Sequence, residues 1–164
     1  MADELQGRRI AILVANEGIE QVELTEPRAA LERAGARVDL LAPEAGTVQA
    51  FDHLDRADAF PVDRTTAEAS ADDYDGLMLP GGVANPDALR MREDAVALVA
   101  AFVNAGKPVA AICHAPWTLV QADAVRGRTL TSWPSLQTDV RNAGGTWVDE
   151  AVVGDAGLVT SRRP

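Results

Sequence analysis

With 164 residues, the chain is about one domain long. Twenty-five acidic residues against fifteen basic ones give a net charge of −10, which argues against a nucleic-acid partner, because phosphate binding needs a positive surface. No run approaches the roughly 18 apolar residues of a membrane span, and the opening MADELQGRR lacks the apolar core of a secretory signal.

Residues 1–8 read as a loose polar leader. Residues 9–16 (RIAILVAN) form a short apolar run, the pattern of a strand buried on both faces. A Glu-rich loop follows, then a helix with Thr25 as N-cap and Pro27 in its first turn. Leu24, Pro27, Leu31 and Ala34 mark the inner face of this helix, and Gly35 ends it. Residues 37–42 are a second strand. Residues 47–51 and 60–62 are short strands that can pair as a hairpin. Residues 75–79 form a third clear strand, ending in Pro80-Gly81-Gly82. Residues 93–105 carry the strongest helical pattern, with Val96, Val99 and Val103 in one stripe and Leu98 and Phe102 beside it. Strand 108–112 runs into Cys113-His114 and a helix at 115–122. A short strand at 129–130, a helix at 134–143 and late strands at 147–153 and 158–161 complete the chain. Alternating strands and helices imply right-handed crossovers and a mainly parallel α/β sheet with helices on both faces. The 47% apolar fraction includes 30 alanines, so small side chains line the core. In sheets of this type a helix covers the last strand, and it is expected beyond Pro164.

Residue counts bound the chemistry. One cysteine, Cys113, rules out an intrachain disulfide and points to a reducing, cytoplasmic compartment. Two histidines, His53 and His114, cannot complete a four-ligand Cys/His zinc site, so no metal is expected. Lys107, the single lysine, lies in a Gly-Lys-Pro turn.

Three constellations remain. AAICHAPW, residues 110–117, has the strand–turn–helix form of a nucleophile elbow. It puts Cys113 at the C-terminal end of a strand, where open α/β sheets bind ligands. A helix N-terminus there favours thiolate. A lone cysteine is more often a small buried hydrophobe, but this placement beside His114 favours chemistry. LPGGVANPD, residues 79–87, supplies Gly81 and Gly82, which allow close backbone approach and oxyanion-hole N–H groups. A plain turn is the competing explanation. Asp87 by itself reads as a first-turn acid. Glu17, Glu20 and Glu23 follow the first strand, and a desolvated carboxyl there could exchange protons near neutrality. Spacing alone does not choose among the three. Trp117 and Trp133 both follow strand ends and could wall a pocket or pack in the core.

AICHAPW, LPGG, NEGIEQVEL and TSWPSLQTDVRNAGGTWVDEAVV together resemble the DJ-1/PfpI superfamily, most closely its PfpI-like branch of intracellular proteases, general stress proteins and glyoxalase or deglycase enzymes. The resemblance runs from Arg9 to Pro164. It implies a flavodoxin-like fold related to class I glutamine amidotransferase domains, with Cys113 as nucleophile. Alignment of NEGIEQVEL with the family's acidic run, with one residue inserted here, assigns the acidic partner to Glu20, with Glu17 as the alternative. His114 matches the histidine after the nucleophile. Asp87 matches an acid contributed to the neighbouring subunit's triad, which implies a homodimer or hexamer. The family's usual glycine after Cys-His is Ala115 here.

The expected activity is cofactor-independent turnover of reactive carbonyls such as methylglyoxal, or of glycated proteins. Cys113 would be the nucleophile, Glu20 the proton shuttle and His114 an assistant. Backbone N–H groups near Gly82 and His114 would hold the oxyanion. The alternatives are peptide or amide hydrolysis through Cys113, His114 and Asp87, and a redox-sensing stress protein or chaperone that oxidises at Cys113. The absence of a histidine after His114 disfavours a glutaminase. The absence of GxGxxG and GxxxxGK[ST] disfavours a nucleotide domain.

Overall fold

The computed structural model describes residues 3–164. In chain order the elements are β1 (Arg9–Leu13), β2 (Glu17–Glu20), α1 (Gln21–Arg33), β3 (Arg37–Ala42), β4 (Thr47–Asp52), β5 (Asp55–Pro61), β6 (Arg64–Thr65), β7 (Gly76–Leu79), α2 (Ala84–Leu89), α3 (Glu93–Asn104), β8 (Val109–Ile112), α4 (Pro116–Gln121), β9 (Thr129–Leu130), α5 (Gln137–Asn142), β10 (Thr146–Trp147), β11 (Val152–Asp155) and β12 (Leu158–Ser161). The central sheet has the order β11-β12-β8-β7-β1-β3-β6. All its pairings are parallel except β11 with β12.

The central strands are buried on both faces, which is why they read as unbroken apolar runs. Alternate side chains go to opposite faces. Ala11, Leu13, Leu77 and Leu79 join Phe102, Leu119 and Val140 on the side of α3, α4 and α5. Ile12, Val14, Met78 and Ile112 join Leu24, Leu40 and Val48 on the other side, with α1 and β4. Helices therefore cover both faces, as the sequence implies. No helix among the described residues is long and apolar enough to cross a membrane.

Several boundaries depart from the sequence reading. Residues 3–8 are docked rather than loose: Leu5 N–H donates to Ala34 O at 2.8 Å, and Leu5 packs on the α1-side core. Residues 1 and 2 of that leader lie outside the described residues. The first strand stops at Leu13. The Glu-rich stretch is itself strand β2, parallel to β4 in a small three-stranded sheet completed by β5. Helix α1 consequently begins at Gln21, with Glu20 at its N-cap. Thr25 is therefore inside the helix and donates its hydroxyl back to Gln21 O at 3.1 Å instead of capping. Pro27 also lies inside α1, and because it has no N–H, the carbonyl four residues earlier, on Glu23, lacks its helical partner. The expected hairpin of residues 47–51 and 60–62 exists, with Thr47 opposite Pro61 and Val48 opposite Phe60, and its second strand begins earlier, at Asp55. The single strand expected at 147–153 is two elements, β10 and β11, on different sheets.

The ends of β1 and β7 are tied together by one side chain. Asn85 is buried in α2; its Oδ1 accepts from Ala15 N–H at 2.6 Å, and its Nδ2 donates to Pro80 O and Gly81 O, each at 2.9 Å. Asn85→Ala should therefore leave three buried backbone groups unpaired and cost about 2–4 kcal/mol. The check is the urea midpoint of unfolding. An unchanged midpoint would mean that water replaces the amide at no cost.

Candidate active site

The site lies at the C-terminal ends of β1, β7 and β8, where the sheet order reverses around β1. Cys113 follows β8 directly with φ +62°, a left-handed conformation that a non-glycine residue adopts only when its surroundings hold it there. Three backbone hydrogen bonds supply that support. Cys113 N–H donates to Ser161 O at the end of β12 (3.0 Å), Trp133 N–H donates to Cys113 O (2.8 Å), and Ala115 N–H donates to Ile112 O (3.0 Å). The elbow expected from AAICHAPW is present. Ala115 has ordinary helical angles and is buried in the core on the α3 side, so its Cβ does not narrow the cleft.

Glu23, rather than Glu20 or Glu17, meets the sulfur. It is the third residue of α1 and only 2% exposed. Its carboxylate accepts from Gly81 N–H at 2.7 Å and sits beside Cys113, close enough for each group to shift the other's titration. A Cβ on Gly81 would collide with that carboxylate and lie 2.9 Å from Cys113 Cβ, so only glycine lets β7, α1 and the elbow converge. Gly81 N–H is thereby committed to Glu23 and is not a free oxyanion donor, contrary to expectation. The backbone N–H groups of Gly82 and His114 lie near the sulfur and favour its ionised form. Glu20 lies one helical turn back, at the end of β2, and accepts from His53 N–H at 3.1 Å. Glu17 is exposed, 3.5 Å from Arg56. The sequence reading names Glu23 among three candidates, but the family alignment passes over it for Glu20, because β2 ends and α1 begins between Glu20 and Gln21, and the switch of period turns Glu23 inward. The available signal is its position beside Leu24 on the inner helix face, four residues before Pro27.

His114 Nδ1 lies 3.2 Å from Cys113 Sγ, and its Nε2 is 3.5 Å from Ser135 Oγ. Trp133 stacks on the imidazole with centroids 5.7 Å apart, and Trp117 meets it edge-on at 5.4 Å. Trp133 walls the cleft. Trp117 does not line it and instead supports His114 from the side, with its indole N–H on Asp139 at 2.9 Å. Asp87 is exposed on α2 and touches neither Cys113 nor His114 within this chain. The cleft holds about 700 Å³, and its walls include Val22, Leu54, Val83 and Trp133. The hairpin tip between β4 and β5, which carries His53 and Leu54, forms one side, a contribution the sequence does not announce. Glu20, Asp52 and His53 bring ligand-type atoms within 4.8 Å of one another at this tip, the one group of metal-ligand chemistry among the described residues.

Burial dominates the electrostatics. Desolvation pushes Glu23 up to about 7, against hydrogen bonds from Gly81 and Cys113 that favour its ionised form, and with Glu20's negative charge adding to the rise. Desolvation and the Glu23 carboxylate push Cys113 up to about 12. The thiolate expected from a helix N-terminus is therefore not a free-standing one. Helix α4 has six residues, and Cys113 is 7% exposed. Sulfur and carboxyl behave as a pair that holds one proton between its two titrations. Burial also lowers His114, which keeps its imidazole neutral.

The family model described as DJ-1/PfpI family matches residues 8–164. The chain is 39% identical over 156 residues to deglycase PH1704 of Pyrococcus horikoshii, covering 95% of this chain and 90% of that protein. It is 40% identical over 158 residues to protein/nucleic acid deglycase 2 of Escherichia coli, covering 96% and 90%. Among solved structures, DJ-1beta of Drosophila melanogaster superposes with a TM-score of 0.84 at 28% identity, covering 94% of this chain and 81% of that one.

The raised Glu23 carboxyl makes stability depend on pH. The folded state holds a proton that the unfolded chain has released between 4.5 and about 7. This stabilisation is full below 4.5 and lost as pH rises to about 7. Between pH 4.5 and 7.5, wild type should lose on the order of 3 kcal/mol relative to Glu23→Gln in urea unfolding. Parallel curves would show that the carboxyl titrates as it does in the unfolded chain.

Proposed function

The chain belongs to the DJ-1/PfpI family, and from that membership we propose that it is a cysteine-dependent deglycase, acting on carbonyl adducts of the methylglyoxal type. Two relatives at 39% and 40% identity are named deglycases. The observation that carries the proposal is the buried Glu23–Cys113 pair beneath an open, largely apolar cleft. A carboxyl that titrates near neutrality beside a sulfur suits proton transfer between adjacent carbons.

In the proposed cycle the proton held by the pair rests on Glu23 while the sulfur attacks. The sulfur bonds to the former aldehyde carbon of the adduct. The carbon–nitrogen bond breaks, and the amine leaves with the Glu23 proton, which gives a hemithioacetal that still carries a neighbouring ketone. Glu23 then takes the hydrogen from the sulfur-bound carbon as a proton and returns one to the ketone carbon, while the hemithioacetal hydroxyl gives its proton to the former ketone oxygen. The hemithioacetal becomes a 2-hydroxy thioester, an isomer with no net oxidation. Water adds to the thioester, the sulfur leaves and recovers its proton, and a 2-hydroxy acid departs. Free methylglyoxal enters the same sequence by addition of the sulfur to its aldehyde. The N–H groups of Gly82 and His114 stabilise the oxygen that becomes negative. Neutral His114, stacked on Trp133, borders the sulfur and can relay a proton to it. Within one chain the far nitrogen of His114 faces Ser135 and no carboxylate, so the Cys-His-acid triad of a peptidase is not assembled by a single chain.

Lactate release from a methylglyoxal–amine adduct tests this function. Cys113→Ser should abolish release, and Glu23→Gln should lower it about 10²–10⁴-fold. The wild-type rate should rise with pH through about 7, as the pair loses its first proton, and this rise should vanish in Glu23→Gln. Equal release by wild type and folded Cys113→Ser would overturn the proposal.

A further inference from the structure

Residue counts exclude a four-ligand Cys/His zinc site, but carboxylates also ligate metals. One group on this chain joins two carboxylates to an imidazole. It lies apart from the Glu23–Cys113 pair, where the tip of the β4–β5 hairpin meets the start of α1. Asp52 ends β4 and pairs with Asp55, the first residue of β5, so the tip is a two-residue turn of His53 and Leu54. His53 holds φ +57°, a left-handed conformation that such turns usually give to glycine, asparagine or aspartate. Its backbone N–H donates to Glu20 at 3.1 Å, which fastens the tip to the N-cap of α1. The imidazole then lies between two carboxylates, with Nδ1 3.6 Å from Glu20 Oε1 and Nε2 3.9 Å from Asp52 Oδ1. One donor atom from each of the three side chains lies within 4.8 Å of the other two. Donor atoms around a tetrahedral ion with bonds of about 2.0 Å are roughly 3.3 Å apart. Asp52 and His53, with side chains 77% and 88% exposed, are free to rotate through the difference. Glu20 is the fixed member, with a side chain only 14% exposed. Among the described residues no lysine or arginine forms an ion pair with Glu20 or Asp52; Arg56, on β5 beside the tip, faces Glu17 and Gln49 instead.

We propose that Glu20, Asp52 and His53 bind a divalent transition cation of the Zn²⁺ class, with three protein ligands and the remaining positions open to water. The imidazole selects such an ion over Mg²⁺ and Ca²⁺, which take sites built of oxygen ligands and need more of them than this group offers. The two carboxylates offset the charge of the ion, and the net charge of −10 on the chain draws cations towards it. The bound ion ties the hairpin tip to the N-cap of α1, three residues before Glu23, and so braces one wall of the cleft. This binding is independent of the deglycase activity proposed above, because it needs neither turnover nor the Cys113 thiol.

Calorimetric titration of the untagged, metal-stripped chain with Ni²⁺ tests the site. Wild type should bind one equivalent. Glu20→Gln keeps the shape of the carboxyl, and His53→Asn keeps a residue that tolerates the left-handed turn. Each should weaken binding at least about tenfold. Asp72→Asn, an exposed acid preceding β7, should leave the affinity unchanged. Cys113→Ser should bind Ni²⁺ as wild type does. A second readout is stability: Ni²⁺ at about a hundredfold excess over its Kd should raise the urea midpoint of wild type and leave that of His53→Asn in place. Loss of the isotherm in Cys113→Ser would move the ion to the thiol. An isotherm matched by Mg²⁺, or unchanged in Glu20→Gln and His53→Asn, would assign it to diffuse surface charge. Either result, or no binding by wild type, overturns the proposal and leaves the deglycase reading untouched.

Discussion

The site depends on a carboxyl group held against a thiol in the dry interior at the end of a sheet. Glu23 stays there because Gly81 offers it an N–H at 2.7 Å and no side chain to displace it. Asn85 fixes the position of Gly81 by holding its carbonyl, and Cys113 is pressed into a left-handed turn on the opposite side. Each of these contacts is local, but together they join the ends of three strands. Stability and reactivity then share one cause: the burial that makes the Glu23 charge costly is also what gives the carboxyl a proton to exchange near neutral pH.

Much of this was legible in the residues. The strands through Ile12, Leu77 and Ala111 are unbroken apolar runs, and runs of that kind belong to parallel sheets covered on both faces. The elbow at Cys113 and the glycine turn at Gly81-Gly82 are visible because special backbone conformations restrict residue choice. What was not legible is where one periodicity yields to another. Residues 17–20 run as a strand and the chain winds as a helix from Gln21, whereas three glutamates spaced by three read as one face of a single helix. The partner of β2 that decides the matter is β4, about thirty residues on, and pairing of that kind leaves no local trace. The hairpin tip at His53 and Leu54 joined the cleft for the same reason.

The thiol offers a lesson in magnitudes. A helix N-terminus stabilises a nearby negative charge by roughly 0.3–1 kcal/mol in exposed settings, whereas burial of an unpaired charge costs several times more. With Cys113 buried and a carboxyl beside it, burial wins, and Cys113 is pushed up rather than down. The motif placed the residue correctly, but its ionisation is decided by the pair.

The hydrogen bond from Gly81 to Glu23 joins residues 58 positions apart, and the elbow is held by a carbonyl from the last strand, β12. The Glu23 clamp cannot form before synthesis has passed Gly81, and the elbow clamp cannot form before it has reached β12. A nascent chain that stops between the two has no Ser161 carbonyl to hold Cys113, so the complete set of clamps waits on closure of the long loops that join these strands.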